Sequence, residues 1–256
     1  MLLEGKKGLI YGVRNERSIA WGCAVALARE GAKFALSVYS EREEKDAEKL
    51  AQSLPAGACA FIQRCDMTDE AQLATLHARV KEEMGSLDFM AHVVAFGKEL
   101  GGRFIDTSKE AFDISLTSSV YTFISAARHA EPLLNQGGSM ITLSYLGGER
   151  VVPAYNVMGV AKAALESSVR YLANDLGPNG VRVNAISAGP TMTLSARGIS
   201  GFTDLYRSVP DKAPLRHNTT IDEVGDTCVY LVSDLSRGMT GDVIFVDSGM
   251  HALACF

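Results

Sequence analysis

Short apolar runs alternate with longer amphipathic stretches along this chain. The apolar runs, which we predict to be strands, cover residues 7–12, 32–38, 58–64, 87–95, 139–144, 181–187 and 243–247. The stretches with helical periodicity cover residues 18–30, 42–53, 68–84, 108–134, 155–176 and 221–233. Strands that alternate with helices pair in parallel through right-handed crossovers. The pattern therefore predicts an α/β fold, a Rossmann-like doubly wound seven-stranded parallel sheet with helices on both faces.

The ends of the predicted helices carry ordinary start and stop signals. Ser18 suits an N-cap for the first helix, and Gly31 stops that helix. Thr68 or Asp69 caps the third helix. Residues 108–134 are predicted to form one helix whose N-terminal part is softened. By contrast, residues 191–217 show little regular pattern, and a loop of this length in a compact domain is usually a functional lid.

Composition limits the classes of protein that fit this pattern. The chain has 256 residues, of which 47% are hydrophobic and 21% are charged, and this suits one α/β domain over residues 1–256. A net charge of −5 argues against a nucleic-acid partner. Five cysteines and five histidines are scattered without metal-ligand spacing, so no metal site is predicted.

The sequence also carries expectations about location. The first seven residues include charges where a signal peptide needs an apolar stretch. No apolar run approaches the roughly 20 residues that span a membrane. We expect a cytoplasmic protein without a membrane partner.

A ligand site is expected at the carboxyl ends of the strands, where doubly wound sheets bind dinucleotides. The first turn there runs from Gly12 to Gly22 and lacks the Gly-x-Gly-x-x-Gly pattern, so by itself it is a weak signal. Gly12 nevertheless permits a tight turn and a close approach of phosphate. The amides of Ser18 and Ile19 open a helix and can bind a pyrophosphate.

Candidate chemistry centres on Tyr155 and Lys162, seven residues apart. On a helix, seven steps of about 100° return to within about 20° of the start, so both side chains would lie on one face. A lysine near a phenol favours the phenolate and would lower its pKa. The lysine could also hold a polar ligand beside the phenol. A tyrosine and a lysine at this spacing are, taken alone, most often an accident of packing.

The residues around this pair carry a family resemblance. A strand ending in Ser144, followed by a tyrosine and a lysine on one helix, resembles the short-chain dehydrogenase/reductase superfamily. Most members place the tyrosine four residues before the lysine, where this chain has Met158, which cannot donate a proton. With the tyrosine seven residues before the lysine and the flanking residues 144–150, the chain resembles the bacterial enoyl-(acyl carrier protein) reductases of type II fatty acid synthesis. The resemblance extends from about residue 4 to residue 249.

The resemblance implies an oxidoreductase that transfers hydride from NADH to the β-carbon of a trans-2-enoyl thioester. It implies that Tyr155 donates to the thioester oxygen, where charge appears in the transition state, and that Lys162 binds the nicotinamide ribose. Tyr145 lies in the same pocket, either as a wall residue or with a role in proton transfer. The implied catalytic residues are thus Tyr145, Tyr155 and Lys162, and the implied substrate-binding residues are Gly97, Tyr145, Tyr155, Met158 and Phe202.

Cofactor-binding residues follow from the same resemblance. They are Gly12, Ser18, Ile19, Tyr39, Asp66, Met67, Val94, Lys162, Thr191, Met192, Thr193, Leu194 and Ser195. The choice between NADH and NADPH depends on the end of the second strand, where Arg42 attracts a 2′-phosphate and Glu41 repels one. Relatives that prefer NADPH tend to carry several basic residues here. We therefore expect NADH, with NADPH the less favoured cofactor.

The partners implied are acyl carrier protein and further copies of this chain. The predicted lid carries four basic residues and two acidic ones, a net charge of +2, namely Arg197, Arg207, Lys212 and Arg216 against Asp204 and Asp211. Such a rim suits an acidic carrier protein, although a solvated mixture of charges fits equally well. Residues 155–176 are apolar on several sides, which predicts burial against another subunit, and the resemblance implies a homotetramer.

Two other functions remain as alternatives at this point. One is a short-chain carbonyl or alcohol dehydrogenase, against which Met158 argues. The other is a non-enzymatic sensor that binds a dinucleotide, which would be expected to lack Tyr155 or Lys162. Turnover of NADH with a crotonyl thioester separates the three.

Overall fold

The seven predicted strands form a single parallel sheet in the computed structural model, which describes residues 1–194, 196 and 201–254. The strands are β1 (Lys7–Tyr11), β2 (Lys33–Val38), β3 (Cys59–Arg64), β4 (Leu87–His92), β5 (Leu134–Ser144), β6 (Arg182–Ala188) and β7 (Val243–Val246). Their order across the sheet is β3-β2-β1-β4-β5-β6-β7, and every pairing is parallel. The order reverses between β1 and β4, which is the topological switch point where such sheets bind ligands.

Eight α-helices within the described residues connect and cover these strands. They are α1 (Ile19–Arg29), α2 (Glu41–Ala51), α3 (Glu70–Met84), α4 (Lys109–Leu116), α5 (Thr122–Ala130), α6 (Val157–Leu176), α7 (Phe202–Lys212) and α8 (Ile221–Val232). The predicted caps are confirmed at two helices. Ser18 accepts a hydrogen bond from the backbone N–H of Trp21, and Asp69, rather than Thr68, accepts from Ala71 and Gln72.

Two hydrophobic clusters lie on opposite faces of the sheet. On one face the side chains of α3, α5 and α6 pack against alternate strand residues such as Leu9 and Met90. On the other face α1, α2 and α8 pack against the intervening residues, such as Ile10 and Ala91. Successive strand residues point to opposite faces, so strands covered on both sides are apolar throughout. The predicted doubly wound arrangement is therefore confirmed.

Three predicted elements are wrong in detail. Residues 108–134 are not one regular helix, because a π-helical turn at Thr117–Tyr121 separates α4 from α5. Residues 191–217 are not without regular structure, because α7 occupies much of the segment. Tyr155 is not on a helix, because α6 begins only at Val157. The geometric argument that placed Tyr155 and Lys162 on one helix face therefore fails.

Unusual backbone angles explain why α6 begins late. Asn156 has φ 41° and ψ −122°, and Ala154 has φ 62°, so neither residue can continue a right-handed helix. The side chain of Asn156 donates hydrogen bonds to the carbonyls of Leu100 and Gly102 at 2.9 and 3.1 Å. These bonds tie the turn that holds Tyr155 to the segment that follows β4. Within the described residues, no helix is long and apolar enough to cross a membrane.

Candidate active site

A cleft of about 1510 Å³ opens where the carboxyl ends of the strands meet. Its wall includes residues from the ends of six of the seven strands, namely Gly12, Tyr39, Asp66, Val94, Tyr145 and Gly189. Turns that come from separate parts of the sequence therefore converge on one space. Its position matches the ligand site expected for a doubly wound sheet.

The turn after β1 has the geometry of a phosphate site. Gly12 has φ +94°, and a Cβ atom there would lie 2.1 Å from the carbonyl oxygen of Val93, so only glycine fits. Ser18 caps α1 and its hydroxyl donates to the carbonyl of Asn15 at 2.8 Å. Ser18 and Ile19 both line the cleft, at the positive end of the helix dipole. These residues fit the pyrophosphate of a dinucleotide.

The ends of β2 and β3 form the neighbouring part of the cleft. Tyr39, Asp66 and Met67 all line the cleft. Asp66 accepts hydrogen bonds from the backbone N–H and the hydroxyl of Thr68, at 2.9 and 2.7 Å, which fix the turn. Met67 is buried, whereas Tyr39 is exposed at the rim. The apolar side chain of Met67 and the ring of Tyr39 offer surfaces on which an adenine ring could pack.

Lys162 lies at the base of the cleft and is buried. Its ammonium group donates to the carbonyl oxygen of Leu143 at 2.6 Å. Burial lowers the pKa of Lys162 to about 8, and the carboxylate of Glu166, one turn along α6, opposes that shift. Glu166 in turn accepts a hydrogen bond from Ser144, and burial raises its pKa. The pKa of the lysine in the cleft therefore depends in part on a nearby buried carboxylate.

His92 adds a neutral polar group behind Lys162. The imidazole lies between the hydroxyls of Thr142 and Thr122, at 3.1 and 3.0 Å, and is fully buried. Burial, reinforced by the charge of Lys162, lowers the pKa of His92 to about 3. His92 is therefore uncharged at neutral pH and adds no positive charge beside Lys162.

Two tyrosines lie against each other at the centre of the cleft. The rings of Tyr145 and Tyr155 pack edge to face, with centroids 4.8 Å apart. Burial raises the pKa of Tyr145 to about 12 and raises the pKa of Tyr155 further. The expectation that Lys162 lowers the pKa of Tyr155 is therefore wrong, because desolvation dominates at this position. Both phenols remain protonated at neutral pH and can donate hydrogen bonds.

Met158 occupies the position that a tyrosine holds in most of the short-chain dehydrogenases. It is buried, lines the cleft, and its sulfur lies 4.0 Å from the hydroxyl of Ser119. A Cβ atom at Gly97 would lie 2.7 Å from the same sulfur, so Met158 packs directly against that glycine. The wall of the cleft is consequently apolar here and contains no proton donor at Met158.

The turn after β6 and helix α7 complete the opening of the cleft. Thr191, Thr193 and Leu194 line it, whereas Met192 does not, and Ser195 lies outside the described residues. Helix α7 contributes Phe202 and Leu205 to an apolar wall. The predicted lid segment thus contacts the cleft through a regular helix.

Several lining residues were not predicted from the sequence. They are Arg14, Glu43, Ser118, Thr122 and Val152. Glu43 lies three residues after Ser40, the N-cap of α2. This Ser-x-x-Glu spacing is typical of a helix start and could have indicated that Glu43 turns back towards the end of β2. Ser118 lies in the π-helical turn, which no residue pattern predicted. Glu41 and Arg42, the residues we expected beside the ribose, are not among the lining residues. In the described part of the chain no group of His, Cys, Asp or Glu could hold a metal ion.

The chain is similar along nearly its whole length to one group of enzymes. Residues 12–251 match a family model described as enoyl-(acyl carrier protein) reductase. The chain is 48% identical over 254 residues to the NADH enoyl-(acyl carrier protein) reductase FabI of Bacillus cereus, covering 98% of this chain and 99% of that one. It is 49% identical to the NADH enoyl-(acyl carrier protein) reductase 1 of Rhizobium meliloti, covering 98% of this chain and 92% of that one.

Solved structures of the same group of enzymes are also similar to this chain. The Bacillus cereus reductase, crystallised with NADP⁺ and indole naphthyridinone, superimposes with a TM-score of 0.96 at 48% identity, over 99% of each chain. The reductase of Anaplasma phagocytophilum in complex with NAD superimposes with a TM-score of 0.94 at 50% identity, over 99% of this chain and 97% of that one. These structures share the doubly wound fold described above.

Proposed function

The chain belongs to the enoyl-(acyl carrier protein) reductase family, and on that premise we propose how its cleft works. It is an NADH-dependent oxidoreductase that reduces the trans-2 double bond of enoyl thioesters in fatty acid synthesis. One observation supports the assignment of the site most strongly. A buried lysine and two protonated phenols face a single cleft whose wall at Met158 is apolar.

The cofactor lies along the ends of β1 to β4 in this proposal. Gly12, Ser18 and Ile19 hold the pyrophosphate, while Tyr39, Asp66 and Met67 surround the adenosine. Lys162 donates to the hydroxyls of the nicotinamide ribose. Val94, Thr191, Thr193 and Leu194 would surround the nicotinamide. Bound NADH supplies the hydride that adds to the β-carbon of the substrate.

Tyr155 stabilises the charge that this addition creates. When hydride adds to the β-carbon, the electron pair of the double bond moves towards the thioester, and negative charge appears on the carbonyl oxygen. A donor aimed at that oxygen binds the transition state more tightly than the substrate. Because burial raises the pKa of Tyr155, its phenol keeps its proton and donates at neutral pH. Tyr145 packs on the Tyr155 ring and fixes its orientation.

The rest of the cleft accommodates the acyl chain and its carrier. Gly97, Met158 and Phe202 form the apolar wall for the chain. Arg207 and Lys212 on α7 and Arg216 after it are exposed, against two exposed aspartates, Asp204 and Asp211, on the same helix. An acidic acyl carrier protein would be attracted to these charges. We infer from this arrangement that the carrier docks beside α7.

The proposal extends to assembly and location. On α6, Val160, Ala163 and Tyr171 are exposed, whereas the opposite side of the helix is buried. Phe112 and Tyr121 are exposed nearby, on α4 and the π-helical turn that follows it. Such a face suits contact with further copies, and we propose a homotetramer. The four cysteines within the described ranges are free thiols, which suits the reducing cytoplasm.

A direct assay tests the function. The purified protein should oxidise NADH rapidly with crotonyl-coenzyme A and only slowly with acetoacetyl-coenzyme A, because Met158 cannot protonate an alkoxide on the carbon that receives hydride. Comparable rates with the two thioesters would overturn the assignment of Tyr155 and Met158. Nucleotide binding without any turnover would indicate the sensor alternative.

Tyr155→Phe tests the proposed donor. The variant keeps the ring that packs on Tyr145 and loses only the hydroxyl. We expect turnover of crotonyl-coenzyme A to fall by up to about 10²-fold if the phenol acts as a full acid, and by less if it only orients substrate. The KM for NADH should change little. An unchanged turnover number would remove Tyr155 from the reaction.

A further inference from the structure

We propose that Glu43, held in place by Arg14, determines the preference of this enzyme for NADH over NADPH. The inference rests on the proposed cofactor site and adds a residue that sets its specificity. It replaces the expectation that Glu41 plays this part. Three observations carry it, namely the hydrogen bonds of Glu43, its position in the cleft and the different position of Glu41.

Both carboxylate oxygens of Glu43 are engaged. One accepts a hydrogen bond from the backbone N–H of Tyr39 at 2.9 Å. The other accepts from the Nε of Arg14 at 3.0 Å. The side chain of Glu43 is only 12% exposed, against 49% for Arg14. The carboxylate is therefore fixed rather than free to turn into solvent, and an ordered charge acts at a defined place.

That place is the end of β2. Tyr39 is the first residue after β2, and Arg14 lies in the turn after β1, with Gly12. Glu43, Arg14 and Tyr39 line the cleft together. In doubly wound dinucleotide-binding sheets, an acidic residue near the end of the second strand binds the ribose hydroxyls of the adenosine. Glu43 reaches the same point from the first turn of α2, so a 2′-phosphate there would face a carboxylate at close range.

Glu41 points elsewhere for a simple geometric reason. Helix α2 begins at Glu41, and two helical steps of about 100° place residues 41 and 43 roughly 200° apart around the axis. The carboxylate of Glu41 pairs with Lys45 at 2.6 Å and its side chain is 65% exposed. Glu41 does not line the cleft. These two glutamates therefore form a matched pair for an experiment.

Glu43 also has a purely structural role to be separated from this one. Its backbone N–H donates to Ser40, the N-cap of α2, and a carboxylate in the first helical turn is favoured by the helix dipole. If the role were only structural, replacing Glu43 would affect the binding of NADH and NADPH equally. A role in specificity changes the ratio of the two dissociation constants.

The test measures binding of both cofactors by fluorescence titration, without substrate and without turnover. In Glu43→Gln the side chain keeps its size and can still accept from Tyr39, but it loses the charge. We expect the Kd for NADPH to fall by about tenfold relative to the Kd for NADH, since a repulsion at close range is removed and Arg14 can then face the 2′-phosphate. Glu41→Gln should leave the ratio unchanged.

A second variant tests the part played by Arg14. In the double variant Arg14→Gln with Glu43→Gln, the gain in NADPH affinity should be smaller than in Glu43→Gln, because the guanidinium that would bind the phosphate is absent while the repulsion stays removed. Titrations with 2′,5′-ADP and 5′-ADP should show the same differences, and these probes contain no nicotinamide. Circular dichroism spectra establish that each variant is folded.

The possible results separate this inference from the proposed function. If the wild type binds NADH and Glu43→Gln leaves the ratio of dissociation constants unchanged, Glu43 does not set specificity and only this inference fails. The same conclusion holds if Glu41→Gln changes the ratio instead. If the folded wild type binds neither nucleotide, the cofactor site itself is wrong, and this inference fails with it.

Discussion

Lys162 is a buried cation, and no carboxylate in the described part of the chain forms a hydrogen bond or a salt bridge with it. Its ammonium donates to the carbonyl of Leu143, and burial depresses its pKa to about 8. A buried charge is retained at a cost in stability, and in an enzyme such groups concentrate at functional sites. We therefore expect cofactor binding in the proposed site to be most sensitive to substitution of Lys162.

Lys162→Met tests that dependence. Methionine has a similar length and apolar character, so the base of the cleft remains filled. We expect the Kd for NADH to rise by about 100-fold or more, because hydrogen bonds to a charged group are each worth about 1.5–3 kcal/mol. Isothermal titration calorimetry gives the Kd, and a circular dichroism melt shows whether the variant is folded. An unchanged Kd in a folded variant would contradict the assignment of Lys162 to the ribose.

Glu166 controls the pH range over which Lys162 is charged. The free enzyme should lose affinity for NADH as the pH rises through about 8, where Lys162 loses its proton. The carboxylate of Glu166 raises the pKa of Lys162, so Glu166→Gln should lower that pKa and shift the loss of affinity to lower pH. The other groups that face this site stay neutral in this range, because the pKa of His92 is about 3 and the pKa values of the two tyrosines are raised.

The measurement is the Kd for NADH between pH 6 and pH 9.5. Glu41→Gln is the control, because its exposed carboxylate pairs with Lys45 on the surface of α2. The lowered pKa of Lys162 also determines how its contribution to stability changes with pH. The folded pKa of Lys162 lies below its ordinary value of 10.5, so its contribution to the unfolding free energy rises with pH between about 8 and 10.5. Superimposed binding profiles for the wild type and Glu166→Gln would refute the coupling.

At the scale of elements, helices α1 and α8 approach through two glycines. A Cβ atom at Gly225 would lie 2.6 Å from the carbonyl oxygen of Gly22, and a Cβ atom at Gly22 would lie 2.5 Å from that of Ile221. The close approach lets Cys23, Cys228 and their neighbours fill one cluster beneath the turn that holds the phosphate site. The position of α1 relative to the sheet therefore depends on the absence of these two side chains.

Gly225→Ala should force the two helices apart. Overpacking of a core costs about 1–3 kcal/mol of unfolding free energy, and urea denaturation would measure it. Gly238→Ala is the matched control, because a Cβ atom there meets no atom within 4 Å, and it should change stability by less than about 0.5 kcal/mol. Equal effects of the two substitutions would show that the contact between α1 and α8 does not limit stability.

The turn that carries Tyr155 shows how an element can position a side chain without being regular. Ala154 and Asn156 both have positive φ, and Asn156 bonds to Leu100 and Gly102. Residues held in such conformations persist only where the surroundings fix them, and they concentrate at functional sites. The phenol of Tyr155 is consequently placed by two loops that meet, rather than by the register of a helix.

At the scale of the whole molecule, the exposed side of α6 is the surface with most bearing on assembly. Tyr171 is 73% exposed there, and Val160 and Ala163 are exposed on the same helix. Because apolar side chains that share one helix face are usually covered, we expect this face to meet another copy. Four copies of the 27.4 kDa chain would give a particle of about 110 kDa.

Tyr171→Glu should weaken that assembly. A charge in the contact has no partner across the interface, so light scattering coupled to size-exclusion chromatography should show smaller particles than the wild type at the same concentration. Leu235→Glu is the control, since Leu235 is also exposed but lies after α8, and it should leave the mass unchanged. A wild type that elutes as a monomer at micromolar concentration would rule out the tetramer.

The alternation of strands and helices along the chain, the N-cap Ser18 and a second cap at Thr68 or Asp69 could be predicted from the sequence. Of the predicted site residues that the structure describes, all but Met192 line the cleft. Apolar periodicity and capping are local properties, and residue types such as Gly12 and Lys162 constrain the turn and the chemistry wherever they lie. Motifs that match a known family add roles to those positions. The preference for NADH was also expected, but Glu41, to which it was assigned, does not line the cleft.

Tertiary structure alone decided the rest, because it depends on what surrounds each residue. Tyr155 lies outside the helix since loops fix Ala154 and Asn156 in conformations that no local pattern predicts. Its pKa is raised and not lowered, because desolvation by burial dominates at this position. Glu43, and not Glu41, meets the cleft because the start of α2 determines which way each carboxylate points. The direction in which a side chain points and the degree to which it is desolvated depend on the folded chain around it, and neither can be deduced from the residue alone.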